Sequence, residues 1–337
     1  MPNQDGVTRQ PALIDRFGRV HRSLRISVTD RCNLRCTYCM PEHTPQYQPR
    51  SEILTFEEIV RFTKIAVSQG VHDVRLTGGE PLVRAQLHHL VESLCAIDGL
   101  DKVALTTNGV LLEAQLDELL AAGLRYVNVS LDALDEETFH IATRRSGLQR
   151  VLDGIDAAVA AGMHVKINSI AMRGLTEDQI VAFGEFTRRT GIPVRFIEFM
   201  PLDSDGHWDT GAVLSGAEII EMFSDRVRPL IPVPNHGSAP ATDYHFNDGL
   251  GTVGVIASVT KPFCNTCDRF RLTADGQLRN CLFGEDSGDI RELMRSGASD
   301  DRIIAAIQSA VAFKKRGHGT DDLSFLRPSR PMHAIGG

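Results

Sequence analysis

Residues 25–42 read RISVTDRCNLRCTYCMPE, and the order of events in this stretch decides the fold. A β-branched, apolar strand candidate, Arg25 to Val28, runs straight into Cys32, Cys36 and Cys39, spaced C-x3-C-x2-C with Tyr38 just before the third sulfur. Chemistry placed at the C-terminal end of a strand is the habit of parallel α/β sheets and barrels. Three thiolates so close together can wrap one metal centre, but they leave it one ligand short. An iron–sulfur cubane takes one cysteine per iron, so a trio leaves one iron open to a ligand that is not protein. Structural zinc prefers paired C-x2-C units and a fourth Cys or His, for which His43 is the nearby candidate.

Outward from this stretch, short apolar runs alternate with amphipathic ones from about residue 24 to 199, which predicts βα repetition. The strand candidates are Arg25 to Val28, Val74 to Thr77, Val103 to Thr106, Tyr126 to Ser130, Val165 to Ile170 and Val194 to Phe199. Helical patterns cover Phe56 to Gln69, Leu87 to Ile97, Leu111 to Ala122 and Glu177 to Arg189, with glycines closing several at Gly70, Gly123, Gly162 and Gly191. Cys95 follows Leu87, Leu90, Val91 and Leu94 at helical spacing and reads as a buried core thiol. Pattern alone leaves open a doubly wound sheet or an incomplete barrel. Polar residues just past the strand ends, at Asp30, Arg31, Gly78 to Glu80, Asn108, Asp132 and Met200, suit barrel loops that meet at one mouth.

After Pro201 the texture turns to Gly, Pro, Asp and His, with IPVPNHGSAP at 231–240 reading as a loop. Tyr244 to Phe246, Val253 to Ile256, Phe270 to Thr273 and Gln277 to Cys281 suggest short antiparallel strands, with Ala274-Asp275-Gly276 as a hairpin turn. Helices are expected over Ile290 to Arg295 and Ile303 to Phe313. The expected organisation is an N-terminal extension at 1–21, a partial barrel at 22–225 and a smaller C-terminal α+β region at 226–337.

A net charge of −7 over 337 residues argues against nucleic acid, so an anionic ligand would have to meet a local cationic pocket. The start MPNQDGVTRQ lacks a signal pattern, and no apolar run reaches the length that spans a bilayer. A cytoplasmic chain with no membrane partner is expected. Six of the seven cysteines fall into two tight groups, which in a reducing compartment points to metal and away from disulfides.

The second group is Cys264, Cys267 and Cys281, again a trio; a zinc ribbon here would need a fourth ligand such as His245 or Asp268. Gly78-Gly79-Glu80-Pro81 directly follows a strand candidate, and paired glycines there let backbone come close to a ligand. Only six of the 36 basic residues are lysines. Arg25, Arg75, Lys166 and Arg195 lie within strands, where alternation points some of them inward, and inward cations need an anion. Arg269 and Arg271 flank Phe270 beside the second trio, and guanidinium groups suit phosphate oxygens.

The motif with Cys32, Cys36 and Cys39, together with Gly78 to Pro81, resembles the radical S-adenosylmethionine (SAM) superfamily. With the second trio, Asp268 to Arg271 and the terminal Gly336-Gly337, the chain is similar over nearly its full length to the GTP 3′,8-cyclase family of molybdenum cofactor biosynthesis. The resemblance implies an α/β fold, an incomplete (β/α)6 TIM-like barrel, whose C-terminal region carries a second iron–sulfur cluster. It implies two 4Fe-4S clusters: one on Cys32, Cys36 and Cys39 that chelates SAM at its open iron, and one on Cys264, Cys267 and Cys281 that offers its open iron to guanine. Cofactor contacts carried over by motif are Tyr38, Gly79, Ser130 and Met200. GTP contacts are Arg25, Arg75, Thr106, Lys166, Arg195, Arg269, Phe270 and Arg271. A 5′-deoxyadenosyl radical would take the ribose 3′ hydrogen, and the carbon radical would attack C8 of guanine, giving (8S)-3′,8-cyclo-7,8-dihydroguanosine 5′-triphosphate. Gly336 and Gly337 would thread into the mouth as part of the catalytic apparatus. Expected partners are GTP, an electron donor, the next enzyme of molybdenum cofactor synthesis and a second copy of the chain as a homodimer. Two rival readings are another radical SAM enzyme with an auxiliary cluster, such as a peptide-modifying maturase, and a non-catalytic zinc protein.

Overall fold

Strict alternation of environment along the strands sets up the architecture. In the computed structural model, which describes residues 12–43, 45–206, 208–234, 237–318, 328 and 330–336, six strands carry the βα rhythm. They are β1 (Ser23–Ser27), β2 (Asp73–Thr77), β3 (Lys102–Thr107), β4 (Tyr126–Ser130), β5 (His164–Ala171) and β6 (Val194–Glu198). All pair in parallel and in sequential order. A doubly wound sheet reverses its order at a switch point; sequential winding with right-handed crossovers keeps every helix on one face. The other face is thereby left as an interior, and the fold is an incomplete TIM-like α/β barrel.

One set of alternate residues, including Leu24, Ile26, Val74, Leu76, Val127, Val129, Ile167 and Phe196, is wholly buried under the helices. Those helices are α1 (Phe56–Ser68), α2 (Leu87–Cys95), α3 (Leu112–Ala121), α4 (Glu136–Thr143), α5 (Leu148–Ala160), α6 (Ile180–Thr190) and α7 (Gly216–Arg226). Phe62, Leu90, Leu119, Ile155, Phe183 and Phe223 meet the sheet from these elements, each burial contributing roughly 1.5–3 kcal/mol. Capping is equally local: Thr55 and Glu58 form a capping box at α1, Ser215 and Glu218 another at α7. Gly191 closes α6 in the left-handed conformation at φ 73°.

Cys95 is exposed, contrary to the core position expected for it. Leu87, Leu90, Val91 and Leu94 do face the sheet, but Cys95 ends α2 one step past that stripe and rests beside Gly123.

The short antiparallel pairs expected after residue 240 form, β8 (Thr242–Phe246) with β9 (Thr252–Ile256) and β10 (Arg269–Leu272) with β11 (Leu278–Arg279), but they also extend the barrel sheet at both edges. β9 adds in parallel to β6, with β8 and β7 (Leu230–Pro232) following antiparallel. At the opposite edge β10 adds in parallel to β1, and β11 folds back on it. A six-stranded open sheet leaves two rows of unpaired backbone groups, and the C-terminal region covers both. Helices α8 (Ile290–Arg295), α9 (Asp300–Ala312) and α10 (Met332–Ile335) complete the chain.

Residues ahead of β1 are integrated as well. Leu13 joins the core, and Asp15, Arg19 and His21 form a buried knot in which Asp15 Oδ2 meets Arg19 Nε at 2.5 Å and His21 Nε2 at 3.1 Å. Burial, then repulsion from Lys314, pushes the His21 ring down to about 4 against the partial relief of Asp15. A folded value below the ordinary 6.5 means that the unfolded chain takes up the proton first as pH falls. The ring's contribution to stability is therefore whole above pH 6.5 and is lost between there and about 4, a loss on the order of 3 kcal/mol. Denaturant unfolding between pH 7 and 4.5 should show this acid slope in the wild type and a shallower one in His21→Gln; equal slopes would remove the ring from the account.

Candidate active site at the barrel mouth

The loop carrying the first trio is fixed from several sides by backbone bonds. Arg35 N and Thr37 N donate to the carbonyls of Thr143 and Ala142 at the end of α4, and Cys39 N and Met40 N turn back on the carbonyl of Cys36. The glycine pair after β2 has a reason other than ligand approach. A Cβ on Gly78 would lie 2.6 Å from the carbonyl oxygen of Thr29, and one on Gly79 would strike the carbonyl of Arg31. Gly79 N donates to Thr29 O at 2.7 Å and Glu80 N to Arg31 O at 2.7 Å, so the GGE turn clamps the chain just ahead of Cys32.

Glu80 is buried beneath this turn, where it accepts from Leu82 N, Thr107 Oγ1 and Asn108 N. Burial raises it to about 7 even so. Asn108 then reaches the motif, donating from Nδ2 to Asn33 Oδ1 at 2.7 Å and lying 3.8 Å from Cys32 Sγ. Asp132, past the end of β4, accepts from the Tyr38 hydroxyl at 2.8 Å and from Ile170 N, and burial raises it to about 6. Strand-end position alone puts Asn108 and Asp132 at the mouth; these contacts show them supporting the cysteine loop.

Burial, with Glu80 adding, pushes the Cys32 thiol up to about 11; burial, Asp132 and the neighbouring cysteines raise Cys36, and burial with Cys32 raises Cys39. Three crowded thiols that resist carrying charge together are a donor set suited to a cation, whose binding would release their protons. Among the described residues no three His, Cys, Asp or Glu side chains gather tightly enough for a single ion. A three-thiol donor set fits a cubane with one iron left open to a ligand that is not protein, whereas structural zinc takes four protein ligands.

The inward set of alternate strand residues is basic. Arg271, Arg25 and Arg75 share one register row across β10, β1 and β2, and Arg75 Nη1 donates to Thr106 Oγ1 at 3.3 Å. Burial lowers Arg25 well below its ordinary range, with Arg271, Arg269 and Arg75 each adding repulsion. Burial lowers Arg75 and Lys166 too; Arg75 is relieved by Asp73 and repelled by Arg195 and Arg269, and Lys166 is repelled by Arg195, Lys102 and Arg75 and relieved by Asp243. The expected cations thus form one continuous lining. Arg269 Nε and Nη2 are buried with no hydrogen-bond partner among the described residues, Nε having only a 3.8 Å approach to Asp268. A buried, underpaired guanidinium is costly unless a ligand anion completes it.

Two residues expected at the lining behave otherwise. Phe270 is 0% exposed and packs in the apolar core, because it alternates with Arg269 and Arg271 and so faces the opposite side of β10. Its side chain is not at the mouth. Arg195 is not free, since Asp243 pairs with it at 2.7 Å. Gly254 opens the space, for a Cβ there would sit 2.5 Å from Asp243 Oδ1. Sequence reasoning misses Asp243, in a segment with no functional reading, because it meets Arg195 only across Gly254 of the intervening β9, which no local signal shows. It misses Ser204 as well, whose hydroxyl donates to the carbonyl of Cys39 at 2.9 Å.

The second trio lies beside this lining. Although burial alone raises it, Arg269 and Lys314 hold the Cys267 thiol down to about 7, and Lys314 Nζ donates to Cys267 Sγ at 3.4 Å. Burial raises Cys264. Ser130 ends β4 on the inward face and Met200 follows β6, both half-buried.

The C-terminal tail enters the mouth. Met332 N, at the start of α10, donates to Leu202 O, and Arg271 Nη1 donates to Gly336 O at 2.5 Å. Gly336 has φ 76°, and a Cβ on it would come 2.6 Å from Thr77 Oγ1 and 2.8 Å from Ser27 Cβ. Gly337 lies outside the described residues.

The family model described as Radical SAM superfamily matches residues 26–187, and the one described as Molybdenum Cofactor Synthesis C matches residues 192–320. A curated protein named GTP 3′,8-cyclase from Rhodopirellula baltica is 51% identical over 336 residues, covering 98% of this chain and 94% of its own. Its namesake from Streptomyces coelicolor is 46% identical, covering 96% of each chain. Among solved structures, Streptococcus suis SuiB bound to S-adenosylmethionine is similar with a TM-score of 0.58 at 15% identity, covering 86% of this chain and 69% of that one. A structure described as native anSMEcpe with bound AdoMet gives 0.56 at 14% identity, covering 90% and 92%. At such identities these two speak to the fold alone.

Proposed function

Because the chain belongs to the GTP 3′,8-cyclase family of radical SAM enzymes, which serves molybdenum cofactor synthesis, we propose that its basic barrel interior is where GTP is bound and cyclised. The product is (8S)-3′,8-cyclo-7,8-dihydroguanosine 5′-triphosphate. Cys32, Cys36 and Cys39 would hold the 4Fe-4S cluster, with Tyr38, Gly79, Ser130 and Met200 around SAM. When bound, the cluster and SAM supply a one-electron sulfonium cleavage that ends in removal of the ribose 3′ hydrogen. Cys264, Cys267 and Cys281 would hold a second 4Fe-4S cluster facing the guanine. An electron donor and the next enzyme of the pathway are the partners this chemistry calls for, and a homodimer remains the expected self-association. No described helix is long and apolar enough to cross a membrane.

The chain's own residues bind and orient. Arg25, Arg75, Lys166, Arg269 and Arg271 would take the triphosphate, each charge-assisted contact relieving repulsion among the buried cations. Thr106 steadies Arg75, and Asp243 directs Arg195. Gly336 lies against Ser27 and Thr77 and would help keep water from the reacting carbons.

The observation that carries this reading is the lining of buried cations from Lys166 to Arg271, which repel one another although Asp73 and Asp243 offset part of their charge. Its test is anaerobic reconstitution with iron and sulfide, then reductant, SAM and each nucleoside triphosphate in turn. Mass spectrometry should find 5′-deoxyadenosine and a cyclised nucleotide with GTP; colourless, zinc-bearing protein would sink the reading. Arg269→Ala or Arg271→Ala should weaken GTP binding by about 1–3 kcal/mol for each charge-assisted hydrogen bond to phosphate that the truncation removes, measured calorimetrically, while SAM cleavage persists. Unchanged affinity in both variants would count against the phosphate assignment.

A further inference from the structure

We infer that Arg19 and Lys314 are positioning residues for the second cluster, and that the segment ahead of β1 is part of that cluster's housing. The inference rests on the reading of Cys264, Cys267 and Cys281 as cluster ligands.

Arg19 is a buried guanidinium whose Nε is fixed by Asp15 Oδ2 at 2.5 Å. Its two terminal nitrogens point elsewhere. Nη1 donates to the carbonyl of Cys264 at 2.6 Å and to that of Arg316 at 3.0 Å, and Nη2 donates to the carbonyl of Lys315 at 2.7 Å. One side chain from the N-terminal segment thus ties the first cysteine of the trio to the chain that leaves α9. On that same stretch Lys314, 3% exposed, donates Nζ to Cys267 Sγ at 3.4 Å and to the carbonyl of Arg269 at 2.5 Å. Arg19 fixes the backbone of one ligand and the stretch that carries Lys314; Lys314 touches the sulfur of the next ligand and the backbone of an arginine in the cationic lining.

Such contacts have specific consequences for a thiolate-held cluster. Donors to a ligand sulfur stabilise the reduced, more negative state and raise its reduction potential. Outer groups that orient ligands typically change metal affinity about 10- to 100-fold when removed. A buried ammonium beside a sulfur is also well placed only if that sulfur carries negative charge, as a metal-bound thiolate does. The first trio has its own guanidinium on a ligand carbonyl, Arg35 Nη1 donating to Cys32 O at 2.8 Å, but among the described residues the groups bonded to its sulfurs are neutral: Leu34 N and the Asn108 amide at Cys32, the Tyr38 hydroxyl at Cys36 and the His333 backbone at Cys39. The two clusters are therefore predicted to differ in potential, with the second the easier to reduce on this account.

The test uses reconstituted full-length protein. In Lys314→Met the midpoint potential of the second cluster, followed by electron paramagnetic resonance, should move to more negative values, and chelator should remove about half of the iron about tenfold faster than in wild type. The signal of the first cluster should be unaltered. Lys314→Arg, which keeps a cationic donor, should recover most of the potential, a rescue that a purely structural role would not predict. Arg19→Gln should reproduce the faster iron loss with a smaller shift in potential, because it moves the ligand loop without removing the donor to sulfur. Wild-type protein with about eight irons, together with a Lys314→Met variant unchanged in potential and release rate, overturns the inference alone. Wild-type protein with only about four irons overturns the reading of the second trio and this inference with it.

Discussion

Cys36→Ala is expected to bring 5′-deoxyadenosine formation to background and to lower the iron content from about eight to about four per chain. The cause is local. Removing one of three thiolates leaves two, which cannot retain a cubane, and among the described residues no Asp, Glu or His completes a tight ligand set with them. The fold should survive, because the turn at Cys36 is held through its carbonyl, which accepts from Cys39 N at 3.0 Å and Met40 N at 2.9 Å, and both bonds remain in alanine. GTP affinity should change little, since the cationic lining belongs to the barrel strands and to β10. Anaerobic iron analysis beside a product assay checks both halves. Full iron with undiminished 5′-deoxyadenosine would show that this trio is not the radical source.

Gly336→Val is expected to lower cyclised product by about 10²-fold while leaving both clusters and GTP binding in place. At φ 76° a β-branched residue is strained before any contact is considered. Its Cβ would then overlap Thr77 Oγ1 and Ser27 Cβ, at the ends of two strands that cannot withdraw because β1 and β2 are paired to each other and to their neighbours. The tail must leave, taking with it the carbonyl that receives Arg271 Nη1. Arg271 is then released to other conformers, so that misplaced substrate, rather than absent substrate, limits the rate. A parallel fall in iron content and turnover would assign the tail a structural part instead.

Much of this is legible in the sequence because it is written in local periodicity. Period-two alternation locates six strands to within a residue or two and places Arg25, Arg75 and Lys166 on a common inward face. Spacing alone groups the cysteines. What is not legible depends on encounters between distant segments. Nothing in RFRL at 269–272 announces that it will lie parallel to β1; its sequence neighbours suggest only the local hairpin, which β11 does form on its other side. Asp243 cannot be matched to Arg195 without knowing that β9 separates their strands. Cys95 misses the core by one helical position, where a stripe that ends at Leu94 leaves the next residue outside. Phe270 looks like a site residue because of its arginine neighbours, although the alternation that points them inward turns it away.

The pairing of β1 with β10 also bears on how the protein is made. Ser23 finds its partner at Arg269, so during synthesis the flank of β1 waits for most of the chain to leave the ribosome. At roughly 5–20 residues per second that wait lasts on the order of ten seconds or more, with bare peptide groups available to any extended neighbour. Slow translation at low temperature, with early delivery of iron, should therefore give more native protein than rapid overproduction, since self-association competes for the same flank until the last third of the polypeptide arrives.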